Sequence, residues 1–120
     1  MGTHIAFGTK EPIDYHTSDY NLDVRLKVYG SIMVEADCTE DEKAGIAENV
    51  INIIGDELAE LSGRVTVANL LQEIPDMQKN AQERLKGMIG ADARVAILSI
   101  SLTDDSAEEL SERQRARLAN

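Results

Sequence analysis

Residues 22–37 read LDVRLKVYGSIMVEAD, and this stretch decides the fold. Apolar side chains stand at alternate positions from Leu22 to Val28, and the same alternation continues beyond Gly30 to Ala36. A period of two is typical of a β-strand with one buried face. Such a strand exceeds the usual length of about 3–10 residues. We therefore predict that Gly30 bends or bulges the strand and divides it.

The periodicity changes to that of a helix at Thr39. Thr39 and Glu42 have the spacing of a capping box, in which each residue caps the backbone of the other. The apolar residues that then recur at helical spacing are Ile46, Val50, Ile53, Ile54, Leu58 and Leu61. We predict an amphipathic helix over 41–61. Gly45 and Gly55 each weaken a helix by about 1 kcal/mol relative to alanine, which we interpret as close approach of this helix to the sheet.

The next stretch predicts two further helices. A short helix follows Thr66, and Pro75 suits the first turn of a second helix that ends at Gly90. The apolar stripe of the second helix consists of Met77, Ala81, Leu85, Met88 and Ile89. Both methionines of this stripe are expected in the core.

The remaining strands are predicted near the two ends of the chain. Residues 3–9 form a strand candidate, whereas residues 10–21 are rich in turn-forming side chains and predict a loop. The last strand is predicted over 94–103, with Ala96, Leu98, Ile100 and Leu102 on one face. Because Val95 and Ile97 make the other face apolar as well, we expect an interior strand.

These elements predict an α+β fold. The expected sheet is mixed and mostly antiparallel, with the helices packed on one face and a C-terminal helix that projects away. The expected core residues are Val24, Leu26, Val28, Val34, Ile46, Val50, Ile54, Leu58, Leu85, Ile97, Leu98 and Ile100. Residues 1–103 would form one domain, and residues 104–120 would begin a charged helix of coiled-coil character.

The C-terminal helix has few apolar side chains to bury. Asp105 or Ser106 can cap its start, and Glu109 precedes Arg113 by four residues, the favourable order for an ion pair. Only five apolar residues follow Asp105, namely Ala107, Leu110, Ala116, Leu118 and Ala119. The pattern predicts a solvated helix or the first turns of a longer one.

Composition narrows the function classes. The chain has 120 residues and a net charge of −10, which disfavours nucleic-acid backbones and anionic lipid surfaces as direct partners. The only cysteine is Cys38, so an intrachain disulfide is excluded, which fits a reducing compartment. No apolar run approaches the roughly 18–20 residues of a transmembrane helix. We expect a cytoplasmic protein whose attachment to any membrane comes from regions or partners outside these residues.

The sequence contains no convincing catalytic constellation. Cys38 with His16 is the best nucleophile–base pair available, and both residues have an ordinary structural explanation. The acidic residues between Glu35 and Glu42 lack the spacing of a calcium-binding loop, and helix capping already accounts for three of them. Glycine-rich phosphate-binding motifs are absent. We therefore expect no enzyme activity, no cofactor and no metal site.

The order of elements, with these residues, resembles the SPFH or Band 7 domain of stomatins, prohibitins and flotillins. The best match is residues 65–102, VTVANLLQEIPDMQKNAQERLKGMIGADARVAILSISL, where a helix ends in a glycine turn before a strand. Residues 6–37 are similar to the soluble bacterial branch, which has an FGT-EPI stretch and a YGSY-like strand. Tyr29, Gly30 and Ser31 match that strand, but Ile32 and Met33 depart from it.

The resemblance implies a non-enzymatic scaffold that oligomerises and recruits or organises proteins at or near a membrane. The C-terminal helix would then pack against neighbouring chains, with Leu110, Arg113, Arg117 and Leu118 as the self-association residues. Two departures from the family are visible. The membrane-inserting segment upstream of stomatin-like domains is missing, and the helix ends after about four turns, which is what an excised domain of a longer protein would show.

Two other classes remain open from the residues alone. A binding module that docks one partner through an exposed sheet edge would form one-to-one complexes rather than large assemblies. A small α+β enzyme would depend on Cys38, and a thiol that is inert at neutral pH would remove its best candidate nucleophile.

Overall fold

The structure is a computed structural model that describes residues 2–119. The outer limits of the two predicted domains, Met1 and Asn120, lie outside these residues. The elements are β1 (Thr3–Gly8), β2 (Ile13–Thr17), β3 (Leu22–Val34), α1 (Glu40–Leu61), α2 (Leu70–Ile89), β4 (Ala93–Leu102) and α3 (Asp104–Ala119). A short 3-10 turn, Val67–Asn69, precedes α2. The predicted α+β class is confirmed.

The long strand β3 is the centre of the sheet. β1 and β2 share one side of it, β1 beside residues 29–34 and β2 beside residues 22–26, while β4 pairs along the other side. Between the described strands every pairing is antiparallel, so the parallel pairs of a mixed sheet are not found there. All even-numbered residues of β3 are buried, from Leu22 to Val34, which confirms the predicted period of two.

The prediction of a loop over residues 10–21 is wrong for the middle of this stretch. Residues 13–17 form β2, an edge strand that pairs in register with the first part of β3. The turn-forming residues that predicted a loop flank this strand, and Asn21 takes a positive φ of 48° in the hairpin turn. Because β2 has only 5 residues, its own sequence shows too few alternations to identify a strand.

The predicted face of the last strand is also wrong. The pairing between β3 and β4 shifts between Tyr29 and Gly30, so that Leu98 is an extra residue on β4. A bulge of this kind inserts one residue and reverses which side chains point inward. Odd-numbered residues are therefore buried before Leu98, whereas Ile100 and Leu102 are half-buried after it. The prediction that Gly30 bends or bulges its own strand and divides it is wrong, because the extra residue belongs to β4 and β3 continues through Gly30 undivided.

The bulge corrects two further predictions. Leu98 was expected in the core, yet its side chain is 72% exposed. β4 was expected inside the sheet, yet among the described strands it pairs with β3 alone, so it is an edge strand. Its apolar residues before the bulge are buried because α2 packs against them, with no further strand required.

The helices pack on one face of the sheet and close the core. Ten of the twelve predicted core residues are buried, the exceptions being Leu98 and the half-buried Ile100. Buried residues that the core prediction omitted come largely from β1, β2 and α2, and include Ile5, Phe7, Tyr15 and Leu70, whereas Met77 is buried as expected. Met88 was expected in the core as well, but it is 57% exposed at the end of α2.

Pro75 does not open a helix, because α2 already begins at Leu70. Pro75 lies in the second turn of α2, where it cannot donate to the Leu71 carbonyl and its ring crowds that carbonyl. The helix stops where predicted, at Gly90, which adopts a left-handed conformation with φ 67°. Gly63, just beyond α1, is also left-handed.

The predicted capping box at the start of α1 is present. Thr39 Oγ1 accepts from the Glu42 N–H at 3.2 Å, and Glu42 Oε1 accepts from the Thr39 N–H at 3.1 Å. These bonds lower the pKa of the Glu42 carboxyl from its ordinary value of 4.5, the backbone N–H of Thr39 contributing most. Because the folded pKa is the lower one, this stabilisation is present at neutral pH and is lost as pH falls below 4.5.

We expect Thr39→Ala to lower the free energy of unfolding by about 1 kcal/mol, the usual value of a threonine N-cap. Thr66→Ala is the matched control, since Thr66 stands at the N-cap of the 3-10 turn without a capping bond from its side chain. Urea unfolding of both variants measures the difference. Equal losses in the two variants would contradict a specific role of the capping box.

Candidate functional site

The base of α3 is attached to the sheet by three residues. The Thr103 N–H donates to the Arg25 carbonyl at 3.0 Å, and the Arg25 N–H donates to Ser106 Oγ at 2.8 Å. Thr103 Oγ1 in turn accepts from the Ser106 N–H at 3.4 Å, so Thr103 caps the helix, where Asp105 or Ser106 was predicted to do so. Ser106 is only 7% exposed. The first turn of α3 thus covers the edge of β3 that β4 leaves open.

The four predicted self-association residues have different surroundings. Leu110 is half-buried and packs against the hydrophobic core. Arg117 lies with its guanidinium carbon 3.9 Å from the centre of the Tyr20 ring and donates to the Asp19 carbonyl. Arg113 is exposed, and Leu118 is 87% exposed. The structure therefore uses Leu110 and Arg117 within the chain and leaves Arg113 and Leu118 on the surface.

The ion pair predicted between Glu109 and Arg113 is not formed in the part of the chain that the structure describes. Arg115 donates instead to the Ser111 carbonyl at 3.4 Å. All residues from 111 to 119 are exposed, although the helix that carries them is fixed at its base. This exposed half of α3, residues 111–119, contacts the turn between β2 and β3 through Arg117.

A charged groove separates α3 from the outer face of the β2–β3 hairpin. It encloses about 910 Å³ and is open to solvent. Carboxylates from both walls line it, among them Asp14, Asp23, Asp105 and Glu109, together with Arg25 and Lys27. Arg25 Nε lies 3.7 Å from Asp14, an exposed pair. Throughout residues 2–119, no three His, Cys, Asp or Glu side chains are grouped so that they could hold a metal ion.

The candidate nucleophile and base are not brought together. His16 Nδ1 lies 2.7 Å from Asp23 Oδ1 near the start of β3, whereas Cys38 follows the end of that strand. About ten residues of extended chain, at roughly 3.3 Å each, separate these two ends. Cys38 is half-buried beside a cavity of about 310 Å³, and its N–H donates to Thr3 Oγ1 at 3.2 Å. The structure gives Cys38 a packing role and no neighbouring base at His16.

The acidic residues around Cys38 also have structural partners. Glu42 caps α1. Glu40 forms an exposed ion pair with Lys43, with Oε1 and Nζ 3.0 Å apart. The remaining members of the cluster, Glu35, Asp37 and Asp41, are exposed. Their arrangement is that of a solvated helix start.

The covering of the outer edge of β4 by two glutamines of α2 was not predicted from the sequence. Gln78 and Gln82 of α2 accept from the outward N–H groups of Ile97 and Val95, at 2.7 and 2.9 Å. Two side chains of one helix thus take the place of a neighbouring strand along the first half of this edge. The spacing of four residues between the glutamines was the available signal, since it places them on one helix face.

Comparison of the chain with protein-family models and with curated proteins gives no match. Among the helices described, none combines the length and the apolar character needed to cross a membrane.

Proposed function

We propose that this chain is a non-enzymatic scaffold domain of the SPFH or Band 7 type, which oligomerises through α3. In this proposal the assembled domains organise or recruit other proteins at or near a membrane. The observation that carries the proposal is the exposed half of α3, residues 111–119, on a helix that is anchored to the domain at its base.

The anchoring makes the exposed half suitable for assembly. Ser106 and Leu110 hold the first turns against the sheet and core, so the following residues are presented in a defined direction. A helix that is already fixed loses less conformational entropy on binding than a free one. Arg113 and Leu118 are available to a neighbouring helix, and the Leu110 and Arg117 contacts orient the helix toward it.

The family resemblance supports a location at or near a membrane. The net charge of the chain is the reason why we propose indirect attachment. A net charge of −10 repels anionic lipid surfaces. We therefore assign membrane attachment to partner proteins or to segments outside this sequence. The proposal includes no cofactor and no metal.

Shortening α3 tests this proposal. A chain that ends at Leu110 keeps Ser106 and Leu110, whereas an end at Thr103 would also remove these anchors and disturb the fold. In sedimentation velocity we expect the average mass of the full chain to rise with concentration well beyond that of the chain ending at Leu110. Identical sedimentation of the two chains would contradict assembly through α3.

A point variant tests the role of the α3 surface without shortening the chain. We expect Leu118→Glu to weaken assembly, because it places a charge on the most exposed leucine of α3. Met88→Glu is the matched control, since Met88 is an exposed apolar residue at the far end of α2. A loss that is equal in both variants would indicate a nonspecific effect of charge.

A further inference from the structure

The second half of the β4 edge has unused hydrogen-bonding groups. In an antiparallel pair, residues that exchange backbone bonds alternate with residues that point their N–H and C=O away from the partner. The bond from Thr103 to Arg25 identifies Thr103 as a bonded position, so Ser101 is bonded as well. Ile100 and Leu102 consequently direct their N–H and C=O groups out of the sheet.

The structure covers this edge only as far as the bulge. Gln82 and Gln78 accept from Val95 and Ile97, but from residue 98 to residue 102 no group within residues 2–119 bonds to the outward N–H groups. Proteins normally block such an edge with charge, proline, a bulge or a covering element. Residues 98–102 contain no charge and no proline, and the bulge is confined to Leu98 at the start of the stretch, so the regular part from Ser99 to Leu102 is able to accept a further strand.

The surroundings of the open edge are apolar. A groove of about 280 Å³ runs beside it, formed by Leu71 at the start of α2, Val67 in the 3-10 turn, and Ile100 and Leu102 of β4. Leu71 is 63% exposed, and Leu98 at the bulge is exposed too. No charged side chain lines this groove. A strand added here would therefore cover apolar side chains as well as satisfy backbone groups.

The sequence of the open edge favours a second copy of the same chain. Residues 98–102 read LSISL, which is the same in both directions about Ile100. If two copies pair antiparallel with Ile100 opposite Ile100, each leucine faces a leucine and each serine faces a serine. The two contacts are then identical, as a twofold axis requires.

The limits of the pairing agree with the ends of the free stretch. In this register Ile97 would face Thr103 of the other copy. Gln78 covers the edge at Ile97, and α3 begins directly after Thr103. The paired residues are thus those whose outward edge neither copy covers, although their inner edge is bonded to β3. An uncharged contact is also what two chains of net charge −10 need in order to approach each other.

We propose that two copies of this chain join through residues 98–102 of β4, paired antiparallel about Ile100, so that their two four-stranded sheets become one continuous sheet. The Ile100 residues exchange two backbone hydrogen bonds, and Leu98 of each copy meets Leu102 of the other. This contact does not use residues 111–119. It is therefore a second surface, independent of the assembly through α3.

Cysteine pairing tests the register in the full chain, with Cys38→Ser as background. Ser99 of one copy should face Ser101 of the other at a non-bonded position, where Cα atoms lie about 4.5 Å apart and a disulfide fits. Ser99 residues of the two copies lie diagonally, about 7–8 Å apart, which is too far. Both serines are exposed, so Ser99→Cys and Ser101→Cys leave the core intact.

We expect a mixture of the Ser99→Cys and Ser101→Cys chains to form several-fold more oxidised dimer than either chain alone. Equal yields in the mixture and in the single variants, or no crosslinked dimer, would overturn the proposed register. Sedimentation of Leu98→Lys should show at least a tenfold weaker dimer, while Met88→Lys should match the unsubstituted chain. Crosslinking that persists in the chain ending at Leu110 would separate this contact from assembly through α3.

Discussion

Gly30→Ala is expected to destabilise the domain by about 3 kcal/mol or more, the upper end of the usual cost of overpacking. A Cβ atom at this position would lie 2.1 Å from the Ala96 carbonyl oxygen and 2.5 Å from Phe7 Cζ. The first of these neighbours is backbone of the paired strand and cannot move without separating β4 from β3. The second is the buried ring that covers Gly30 from β1.

Gly55→Ala is the matched control for this prediction. Gly55 lies within α1, and a Cβ atom there would meet nothing within 4 Å. Alanine should therefore stabilise α1 by about 0.5–1 kcal/mol through helix propensity. Urea unfolding of both variants gives the two free energies. A loss below 0.5 kcal/mol for Gly30→Ala would mean that β4 and Phe7 yield easily, contrary to the close packing described here.

Tyr15→Phe is expected to cost about 1–3 kcal/mol, the usual cost of leaving a buried hydrogen-bonding group without its partner. Tyr15 is fully buried in β2, and its hydroxyl donates to the Val65 carbonyl and lies 3.1 Å from the Leu61 carbonyl. Phenylalanine would keep the ring and remove the donor to the Val65 carbonyl, whereas the Leu61 carbonyl still accepts from the backbone N–H groups of Arg64 and Val65. Tyr29→Phe is the control, since the Tyr29 side chain is exposed.

Tyr15 should also make the domain less stable toward unfolding at high pH. Burial raises the pKa of Tyr15 above its ordinary value of 10.0, and the nearby Glu73 carboxylate raises this pKa further. The folded protein thus holds the phenolic proton more tightly than the unfolded chain does. The contribution is complete below pH 10.0 and is lost as pH rises through the folded pKa.

Unfolding experiments above and below pH 10 measure this effect. We expect the difference in stability between the unsubstituted chain and Tyr15→Phe to shrink above pH 10, because only the former carries the shifted group. The difference for Tyr29→Phe should stay constant. A constant difference for Tyr15→Phe would show that Tyr15 ionises equally in the folded and unfolded states.

The elements that sequence predicts well are those whose pattern repeats many times. β3 alternates over 13 residues, and α1 carries five buried apolar residues at helical spacing behind a capping box. Each repetition adds evidence for the same period, so the type and the buried face of both elements were predicted correctly, although β3 is not divided at Gly30. The short strand β2 offers too few repetitions, and its identity depends on pairing with β3, which lies outside its own sequence.

The bulge at Leu98 shows a different limit. Along β4 the polar side chains change from an even position, Arg94, to odd positions, Ser99 and Ser101, so the alternation itself shifts between Ile97 and Leu98. The insertion arises where Gly30 of the neighbouring strand lets the Ala96 carbonyl and the Phe7 ring come close. The prediction assumed one regular face through this change of parity, and for that reason it placed Leu98 on the buried face.

Two glycines of α1 were also interpreted wrongly, because close packing was predicted where the structure has open space. Gly45 and Gly55 were interpreted as points of close approach, yet a Cβ atom at either position would meet nothing within 4 Å. For the candidate site, the exposure of Arg113 and Leu118 could be predicted, because the sequence of α3 contains few apolar residues. The contact of Arg117 with Tyr20 is long-range and has no local signal.

The position of β3 between β1 and β4 has a mechanical consequence. β1 enters the sheet beside Val34, and β4 leaves it beside Arg25 to continue into α3. Tension between the first residues and the end of α3 would therefore draw β1 and β4 in opposite directions along β3. Antiparallel hydrogen bonds lie across the strands, so this tension would load them in shear, all together, instead of unzipping them one by one. This strand order should resist a pull along β3 more strongly than a pull that separates the strands in turn.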